Sequence, residues 1–198
     1  MIKIGIDIGS TTVKVAAVGD TGEVLFTRYG RHNANARDVV VRMLGELQAA
    51  CGPADACVRL TGSVGMGFAE KCSLPFVQEV VAATKAVQQY HPESVSLIDI
   101  GGEDAKVVFF RDGWASDLRM NGNCAGGTGA FIDQMAVLLD VGVDELGRLA
   151  MQAERTYPIA SRCGVFCKTD IQNLIAKNVS LNSATLLKVS ERCAPKPP

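Results

Sequence analysis

The chain has 198 residues, of which 47% are hydrophobic and 21% are charged, and its 20 Lys and Arg against 21 Asp and Glu leave a net charge of −1. This composition is typical of a folded globular protein and argues against a nucleic-acid-binding surface, which needs an excess of basic residues. No apolar run approaches the roughly 20 residues that span a bilayer, and the N-terminus MIKIGIDIGS lacks a signal pattern. We therefore expect a cytoplasmic protein that binds neither nucleic acid nor membrane.

The predicted elements alternate between strands and helices. In the first half they are strands at 2–8, 13–18 and 23–28, a helix at 36–50, a strand at 57–61, and helices at 64–71 and 78–90. In the second half they are a strand at 94–100 and helices at 128–139 and 143–153. The alternation predicts an α/β protein.

The first half of the chain is repeated in the second half at a fixed offset. Ile6-Asp7-Ile8-Gly9 recurs 92 positions later as Ile98-Asp99-Ile100-Gly101, and Lys14 recurs as Lys106 at the same offset. Such self-similarity indicates two related lobes, each with a glycine-turned hairpin that faces a common cleft. The predicted lobes are residues 1–91 and 92–180.

Both glycine turns have the residue types that bind phosphate. Glycine lets backbone N–H groups approach an anion, hydroxyl groups add donors, and carboxylates at strand ends can hold Mg²⁺ through its waters. A single Asp-x-Gly turn is an ordinary hairpin turn, but two matched copies favour a nucleotide site. The candidate nucleotide-binding residues are Gly9, Ser10, Thr11, Thr12, Lys14, Gly101, Gly102, Glu103, Asp104 and Lys106, with Asp7 and Asp99 as the candidate catalytic carboxylates.

Segments 7–12 and 99–104 resemble the two phosphate motifs of the actin-like ATPase superfamily. More narrowly, segments 121–129 (NGNCAGGTG) and 161–166 (SRCGVF) resemble the 2-hydroxyacyl-CoA dehydratase activators, the BadF/BadG/BcrA/BcrD ATPase family. The resemblance covers residues 1 to about 180 and implies an actin-like, ribonuclease H-like α/β fold with two lobes around a nucleotide cleft.

The resemblance also implies a homodimer that holds one [4Fe–4S] cluster, with Cys124 and Cys163 of each chain as ligands. Two thiols from each of two symmetric chains supply the four thiolates of a cubane cluster. The segment after Cys124 is predicted to open a helix, whose N-terminus favours a thiolate and links the phosphate loop to the cluster. The candidate cofactor-binding residues there are Gly126, Gly127, Thr128 and Gly129.

The remaining cysteines and the histidines carry no such signal. The chain has seven cysteines and no Cys-x-x-Cys pair, and a reducing cytosol disfavours disulfides. Cys167 lies one helical turn after Cys163, where a third ligand is one alternative, but we interpret it as a packing or adventitious thiol. The simplest alternative for Cys124 and Cys163 is also burial as small residues. His32 and His91 fall in no motif, so we assign them no metal role.

The function implied by the resemblance is electron transfer driven by ATP. The protein would take an electron from a low-potential donor, hydrolyse Mg²⁺-bound ATP to ADP, and pass the electron to an iron–sulfur enzyme that processes CoA esters. One alternative is a small-molecule kinase of the same superfamily, and another is a non-catalytic nucleotide- or cluster-binding module. A dinucleotide-dependent oxidoreductase is disfavoured because no Gly-x-Gly-x-x-Gly follows the first strand.

The C-terminus departs from this pattern. The actin-like fold needs a further stretch with an adenosine-binding Gly-Gly loop and closing helices, yet the match fades after Asn178-Val179-Ser180. Residues 181–198 contain no glycine and end in prolines. We expect a fold that is truncated at the C-terminus, an unstructured tail at 181–198, and ATPase activity that depends on the missing part.

Overall fold

The chain forms two compact units, Met1–Pro92 and a second unit that begins at Glu93. The residues described by the computed structural model are 1–121, 124, 126–152, 157–160 and 163–177. Within these ranges, no helix is both long enough and apolar enough to cross a bilayer. The predicted unstructured tail, 181–198, lies outside the described residues.

The first unit contains a four-stranded sheet in the order β3-β2-β1-β4. Its elements are β1 (Ile2–Ile8), β2 (Thr12–Val18), β3 (Val24–Arg31), α1 (Ala36–Cys51), β4 (Ala56–Thr61), α2 (Gly65–Cys72) and α3 (Glu79–Tyr90). β1 pairs antiparallel with β2 and parallel with β4. The predicted end of β3 at residue 28 is wrong, because β3 keeps pairing with β2 as far as the pair Thr12 and Arg31.

One face of this sheet forms the core of the first unit. Side chains alternate between the two faces of a strand, so every second residue of β1 and β2 points to the same side. The buried residues on this side are Ile4, Ile6, Ile8, Val13, Val15 and Ala17. Val40, Met43 and Leu47 recur at helical spacing along α1 and complete the same cluster. The opposite face of the sheet is therefore left for polar side chains.

The second unit contains a three-stranded antiparallel sheet in the order β5-β6-β7. Its elements are β5 (Ser96–Ile100), β6 (Ala105–Arg111), β7 (Trp114–Asn121), α4 (Gly129–Leu138), α5 (Val143–Met151) and α6 (Gly164–Ala176). The helices share a core of buried residues, which comprises Phe131, Met135, Ala136, Leu146, Cys167 and Ile171.

The repeat seen in the sequence extends to the irregularities of the backbone. In the first unit the register of the second strand shifts between Ala17 and Val18. In the second unit it shifts between Phe109 and Phe110, again 92 positions later. The recurrence of this irregularity at the repeat offset supports the interpretation that the two hairpins are related.

Candidate functional site

The two glycine turns are closed by the same type of backbone hydrogen bond. In phosphate loop 1 (residues 9–12), the Gly9 N–H donates to the Thr12 carbonyl at 3.0 Å. In phosphate loop 2 (residues 101–104), the Gly101 N–H donates to the Asp104 carbonyl at 2.9 Å. Each loop is thus a tight turn that is closed by its own first and last residues.

The residues inside each turn leave backbone donors for an anion. Within the described residues, the N–H groups of Ser10 and Thr11 in loop 1, and of Gly102 and Glu103 in loop 2, make no hydrogen bond to another backbone group. Successive N–H groups in a turn form a concave site that suits phosphate oxygens. Both loops therefore carry donors of the kind that the sequence predicts.

A row of polar side chains crosses the open face of the first sheet. Tyr29, Lys14, Asp7 and Thr61 lie directly opposite one another on β3, β2, β1 and β4, so all four point to one face. The Lys14 Nζ lies 2.8 Å from Asp7 Oδ2 and 6.0 Å from the centre of the Tyr29 ring. The row lines an open pocket of about 640 Å³, whose floor includes the small residues Gly5 and Ala16.

Asp7 has an oxygen that suits a hydrated magnesium ion. Its Oδ2 pairs with Lys14, but its Oδ1 is buried and has no hydrogen-bond partner within the described residues. The neighbouring Thr61 Oγ1 is also buried without a partner there. A buried oxygen without a partner is unfavourable, and Mg²⁺ with its waters would satisfy both atoms.

The corresponding lysine of the second unit has a different environment. Lys106 lies opposite Asp99 on the neighbouring strand, as Lys14 lies opposite Asp7. Its Nζ nevertheless pairs with Asp104 of phosphate loop 2, at 2.8 Å. The Lys106 side chain is only 6% exposed, whereas that of Lys14 is 44% exposed. The cation of the second copy is thus tied into its own loop.

Phosphate loop 2 is hydrogen-bonded to the N-terminus of α4. The Gly129 and Ala130 N–H groups donate to the carbonyls of Gly101 and Gly102, both at 2.8 Å. The first N–H groups of a helix have no partner within the helix, so these loop carbonyls satisfy them. A Cβ at position 129 would lie 3.0 Å from the Gly101 carbonyl oxygen, so glycine allows this close approach. Thr128, the N-cap residue, is fully buried.

The two candidate cluster cysteines lie on adjoining segments of the second unit. Cys124 is exposed, and its Sγ accepts a hydrogen bond from the Gly126 N–H at 3.3 Å. A Cβ on Gly126 would lie 3.2 Å from the backbone nitrogen of Gly164, which directly follows Cys163. The segments that carry the two thiols therefore meet through a glycine–glycine contact.

The position at a helix N-terminus that we predicted for Cys124 belongs instead to the other cysteine. Cys163 is the N-cap residue of α6, whereas Cys124 lies four positions before the N-cap of α4, Thr128. The intervening glycines form a turn, in which Gly127 has a φ of +82°, rather than the first turn of the helix. Glycine favours this left-handed turn, and so it delays the start of α4.

Two thiols of one chain suit half of an iron–sulfur cluster. Among the described residues, no group of three or more His, Cys, Asp or Glu side chains could hold a metal ion. A cubane cluster needs four thiolates, which two copies of Cys124 and Cys163 would supply across a two-fold axis. The donor set thus fits a cluster that is shared between two chains.

Cys167 differs from these two cysteines. It lies on α6, is 1% exposed, and packs in the core of the second unit. Burial, with a contribution from the Asp170 carboxylate, raises the pKa of the Cys167 thiol to about 11. This environment is that of a packing residue.

Two polar side chains support the cysteine segments and have no motif in the sequence. The Asn121 Nδ2 donates to the carbonyls of Cys124 at 3.4 Å and Gly126 at 3.2 Å. The Asp170 carboxylate accepts a hydrogen bond from the Ala160 N–H at 2.8 Å, which fixes residues ahead of α6. Both residues act on backbone carbonyl or N–H groups three to ten residues away through turns that have no sequence motif.

Sequence reasoning also missed two residues near phosphate loop 1. Thr61 ends β4 beside Asp7, and the only signal for it is that parallel strands bring their carboxyl ends to one sheet edge. His32 is buried, and its Nε2 lies 3.1 Å from the Gly9 carbonyl oxygen. A lone histidine just after a strand gives no signal of such a contact.

The chain matches known proteins over nearly its whole length. The model of the BadF/BadG/BcrA/BcrD ATPase family matches residues 4–184. A 2-hydroxyisocaproyl-CoA dehydratase activator from Clostridioides difficile is 30% identical over 185 residues, which are 91% of this chain and 68% of that relative.

Two solved structures are similar in both sequence and fold. The activator of the 2-hydroxyisocaproyl-CoA dehydratase from Clostridium difficile, with bound ADPNP, superposes with a TM-score of 0.82 at 29% identity and covers 92% of this chain and 69% of its own. Component A of the (R)-2-hydroxyglutaryl-CoA dehydratase from Acidaminococcus fermentans gives a TM-score of 0.83 at 26% identity, over 93% of this chain and 71% of its own.

Proposed function

Because the chain belongs to the BadF/BadG/BcrA/BcrD ATPase family and has the actin-like fold of the activator structures, we propose that it is an ATP-dependent activator. In this proposal it delivers single electrons to an iron–sulfur enzyme that acts on CoA esters, and ATP hydrolysis drives the delivery. The relatives support this class of partner, because they are named as activators of CoA-ester dehydratases.

The observation that carries the proposal is the backbone connection between phosphate loop 2 and the cysteine segments. The carbonyls of Gly101 and Gly102 hold the first N–H groups of α4, and Gly126, just ahead of α4, contacts the segment of Cys163. A shift of the loop by phosphate would therefore be passed to the cysteines within one unit. Such a connection has no use in a kinase that acts on a small molecule.

Each unit would bind phosphate through its own loop. The N–H groups of Ser10 and Thr11, and of Gly102 and Glu103, would bind phosphate oxygens, and Lys14 would neutralise their charge. Asp7, through its Oδ1, would hold Mg²⁺ through water, and Asp99 is the proposed second carboxylate. Asp7 and Asp99 are the proposed catalytic carboxylates of the two units, and a carboxylate in this role would orient the water that attacks the terminal phosphate of ATP.

The cluster would be held by Cys124 and Cys163 from each of two chains in a homodimer. When bound, a [4Fe–4S] cluster supplies one-electron storage, filled by a low-potential donor and emptied into the partner enzyme. Of the protein's own groups, the Gly126 N–H donates to the Cys124 sulfur, and the Asn121 amide donates to the carbonyls of Cys124 and Gly126. Hydrogen bonds to a ligand sulfur are one of the features that set the reduction potential of a cluster.

Anaerobic purification with iron and sulfide quantification tests this proposal. We expect about four irons per two chains, and loss of the cluster in Cys124→Ser and Cys163→Ser. Cys72→Ser is the matched control, because Cys72 is also exposed but lies at the end of α2 in the other unit. This control should keep its full iron content.

A second measurement separates the proposal from its alternatives. Mg²⁺ and ADPNP are titrated into the same samples by calorimetry. Binding of ADPNP by a protein that holds no iron, even after reconstitution, would contradict electron transfer and favour a kinase or a non-catalytic module. A protein that contains iron but binds no ADPNP would contradict the proposed role of ATP.

A further inference from the structure

His32 is a buried side chain that reaches phosphate loop 1 from outside the loop. It directly follows β3 and is 7% exposed. Its Nε2 lies 3.1 Å from the Gly9 carbonyl oxygen, and its backbone N–H donates to the Thr11 carbonyl at 3.1 Å. A carbonyl oxygen can only accept, so the Nε2 must carry the proton for this contact to be a hydrogen bond. His32 thus holds two carbonyls of the loop.

We propose that His32 is a positioning residue for nucleotide binding, which holds phosphate loop 1 in its phosphate-binding conformation without touching the nucleotide. This inference rests on the proposed function, because it requires that loop 1 binds phosphate.

The argument follows from the geometry of the peptide bond. The Gly9 carbonyl and the Ser10 N–H belong to one planar trans peptide, so they point in opposite directions. When His32 fixes the Gly9 carbonyl on one side of the loop, it also fixes the Ser10 N–H on the other side. The Ser10 N–H is one of the donors that bond to no other backbone group in the described chain. The imidazole therefore aims a donor that it does not touch.

The turn that carries His32 is strained. The next two residues, Asn33 and Ala34, have φ values of +45° and +64°, and the His32 carbonyl accepts a hydrogen bond from the Asn35 N–H at 2.7 Å. Left-handed φ values are uncommon for residues with a side chain, and among these asparagine adopts them more readily than alanine does. Strain of this kind persists where the surrounding structure needs one conformation, and here it places the imidazole under loop 1.

The second copy of the loop meets the same requirement by other means. The carbonyl of Gly101, which corresponds to Gly9 in the repeat, accepts a hydrogen bond from the Gly129 N–H of α4. Both copies thus fix the carbonyl of the same glycine with a donor from outside the loop. In the first copy that donor is a side chain, so a point mutation can remove it.

The test compares His32→Leu, which removes the donor, with His32→Gln, which keeps an N–H that can reach the Gly9 carbonyl. Calorimetry with Mg²⁺ and ADPNP on the anaerobically purified full chain gives the affinities. We expect Kd to rise about tenfold in His32→Leu, or ~1.4 kcal/mol, and to stay within about threefold of the wild type in His32→Gln. His91→Leu, at the exposed C-cap of α3, is the control and should bind as the wild type does.

Several outcomes decide the matter. Equal affinity of His32→Leu and the wild type would overturn the inference, as would equal losses in the Leu and Gln variants. Failure of the wild type to bind ADPNP would instead refute the proposed function. Should His32→Leu fail to fold, nitrogen-15 NMR of the wild-type imidazole decides, since a proton on Nδ1 in place of Nε2 would also overturn the inference.

Discussion

The two phosphate loops are copies of one hairpin, yet they place their charges differently. In both copies an aspartate lies opposite a lysine on the neighbouring strand. Lys14 keeps that partner and stays half-exposed, whereas Lys106 turns to Asp104 of its own loop and is buried. The closing hydrogen bond of the turn is thus the same in the two copies, whereas the lysine side chain is accessible in the first copy and buried in the second.

The two loops also differ in the groups that donate hydrogen bonds to their carbonyls. The Gly9 carbonyl of loop 1 is held by a side chain, His32, whereas the Gly101 carbonyl of loop 2 is held by a backbone N–H group of α4. In our proposal, loop 1 supplies charge to the nucleotide and loop 2 transmits the effect of binding to the cysteine segments. The predictions below test this division of roles.

The largest expected effect concerns Gly62, which directly follows β4 and packs against the end of β1. Gly62 has a φ of +93°, and a Cβ there would overlap Asp7 Oδ1 and the Ile8 carbonyl. Gly62→Ala should lower the free energy of unfolding by about 3 kcal/mol or more, from strain and overlap together. Gly22→Ala is the control, since Gly22 has nearly the same φ, +92°, but open space around it. Urea unfolding should show a loss of only about 1 kcal/mol for the control.

The second prediction compares the stability lost when Lys106 or Lys14 is replaced by methionine. Lys106→Met should lower the free energy of unfolding by about 2 kcal/mol, because it leaves the Asp104 carboxylate without its cation in a partly buried site. Lys14→Met removes a half-exposed pair and should cost less than about 1 kcal/mol.

ADPNP binding should show the opposite order. Lys14→Met should raise Kd at least about tenfold, or ~1.4 kcal/mol, because it removes a cation that the proposal places on phosphate. Lys106→Met, measured at a temperature where it is folded, should change Kd less. A larger rise of Kd in Lys106→Met would mean that Lys106, and not Lys14, neutralises the phosphate, and it would contradict the proposed roles of the two loops.

The third prediction concerns the first glycine of each loop. A Cβ on Gly9 would meet the Thr12 carbonyl oxygen at 3.6 Å, an ordinary contact, whereas a Cβ on Gly101 would overlap the Asp104 carboxylate that holds Lys106. Gly101→Ala should therefore cost about 1–2 kcal/mol of stability and Gly9→Ala less than about 1 kcal/mol. Equal losses in thermal unfolding of the two variants would contradict the asymmetry.

Much of this fold could be predicted from sequence periodicity, since β1, β2 and α1 show clear alternation or helical spacing. The phosphate turns could be predicted because the motif occurs twice, and a repeat carries more information than one hairpin. The turn bonds at Gly9 and Gly101 follow directly from that motif.

Other features depend on contacts between distant residues. The choice of Asp104 over Asp99 by Lys106, and the contact of His32 with Gly9, arise only when the strands and turns are assembled. The displacement of Cys124 from the helix start follows from glycine conformations that the sequence permits but does not dictate. A single sequence contains no pattern for any of these.

The smallest expected effect concerns Cys167, whose buried thiol contrasts with the exposed thiol of Cys124 in the same unit. Its pKa is raised to about 11 from an ordinary value of 9.0, so near pH 8 its thiolate fraction is about 100-fold lower than that of an ordinary thiol. Iodoacetamide should therefore modify Cys124 in the cluster-free protein, as read by mass spectrometry, before Cys167 reacts. Unfolding in urea should abolish the difference, whereas rapid modification of native Cys167 would contradict its burial.

The same shift makes stability depend on pH at the alkaline end. Because the folded pKa lies above the unfolded one, the unfolded chain loses this proton first as the pH rises. The stabilisation is complete below about pH 9 and is lost between about pH 9 and pH 11. Cys167→Ala removes the titrating thiol, so the variant should lose less stability than the wild type over this interval in urea titrations. A parallel loss in both proteins would place the alkaline sensitivity elsewhere, whereas a smaller loss in the variant assigns it to the core of the unit that carries phosphate loop 2.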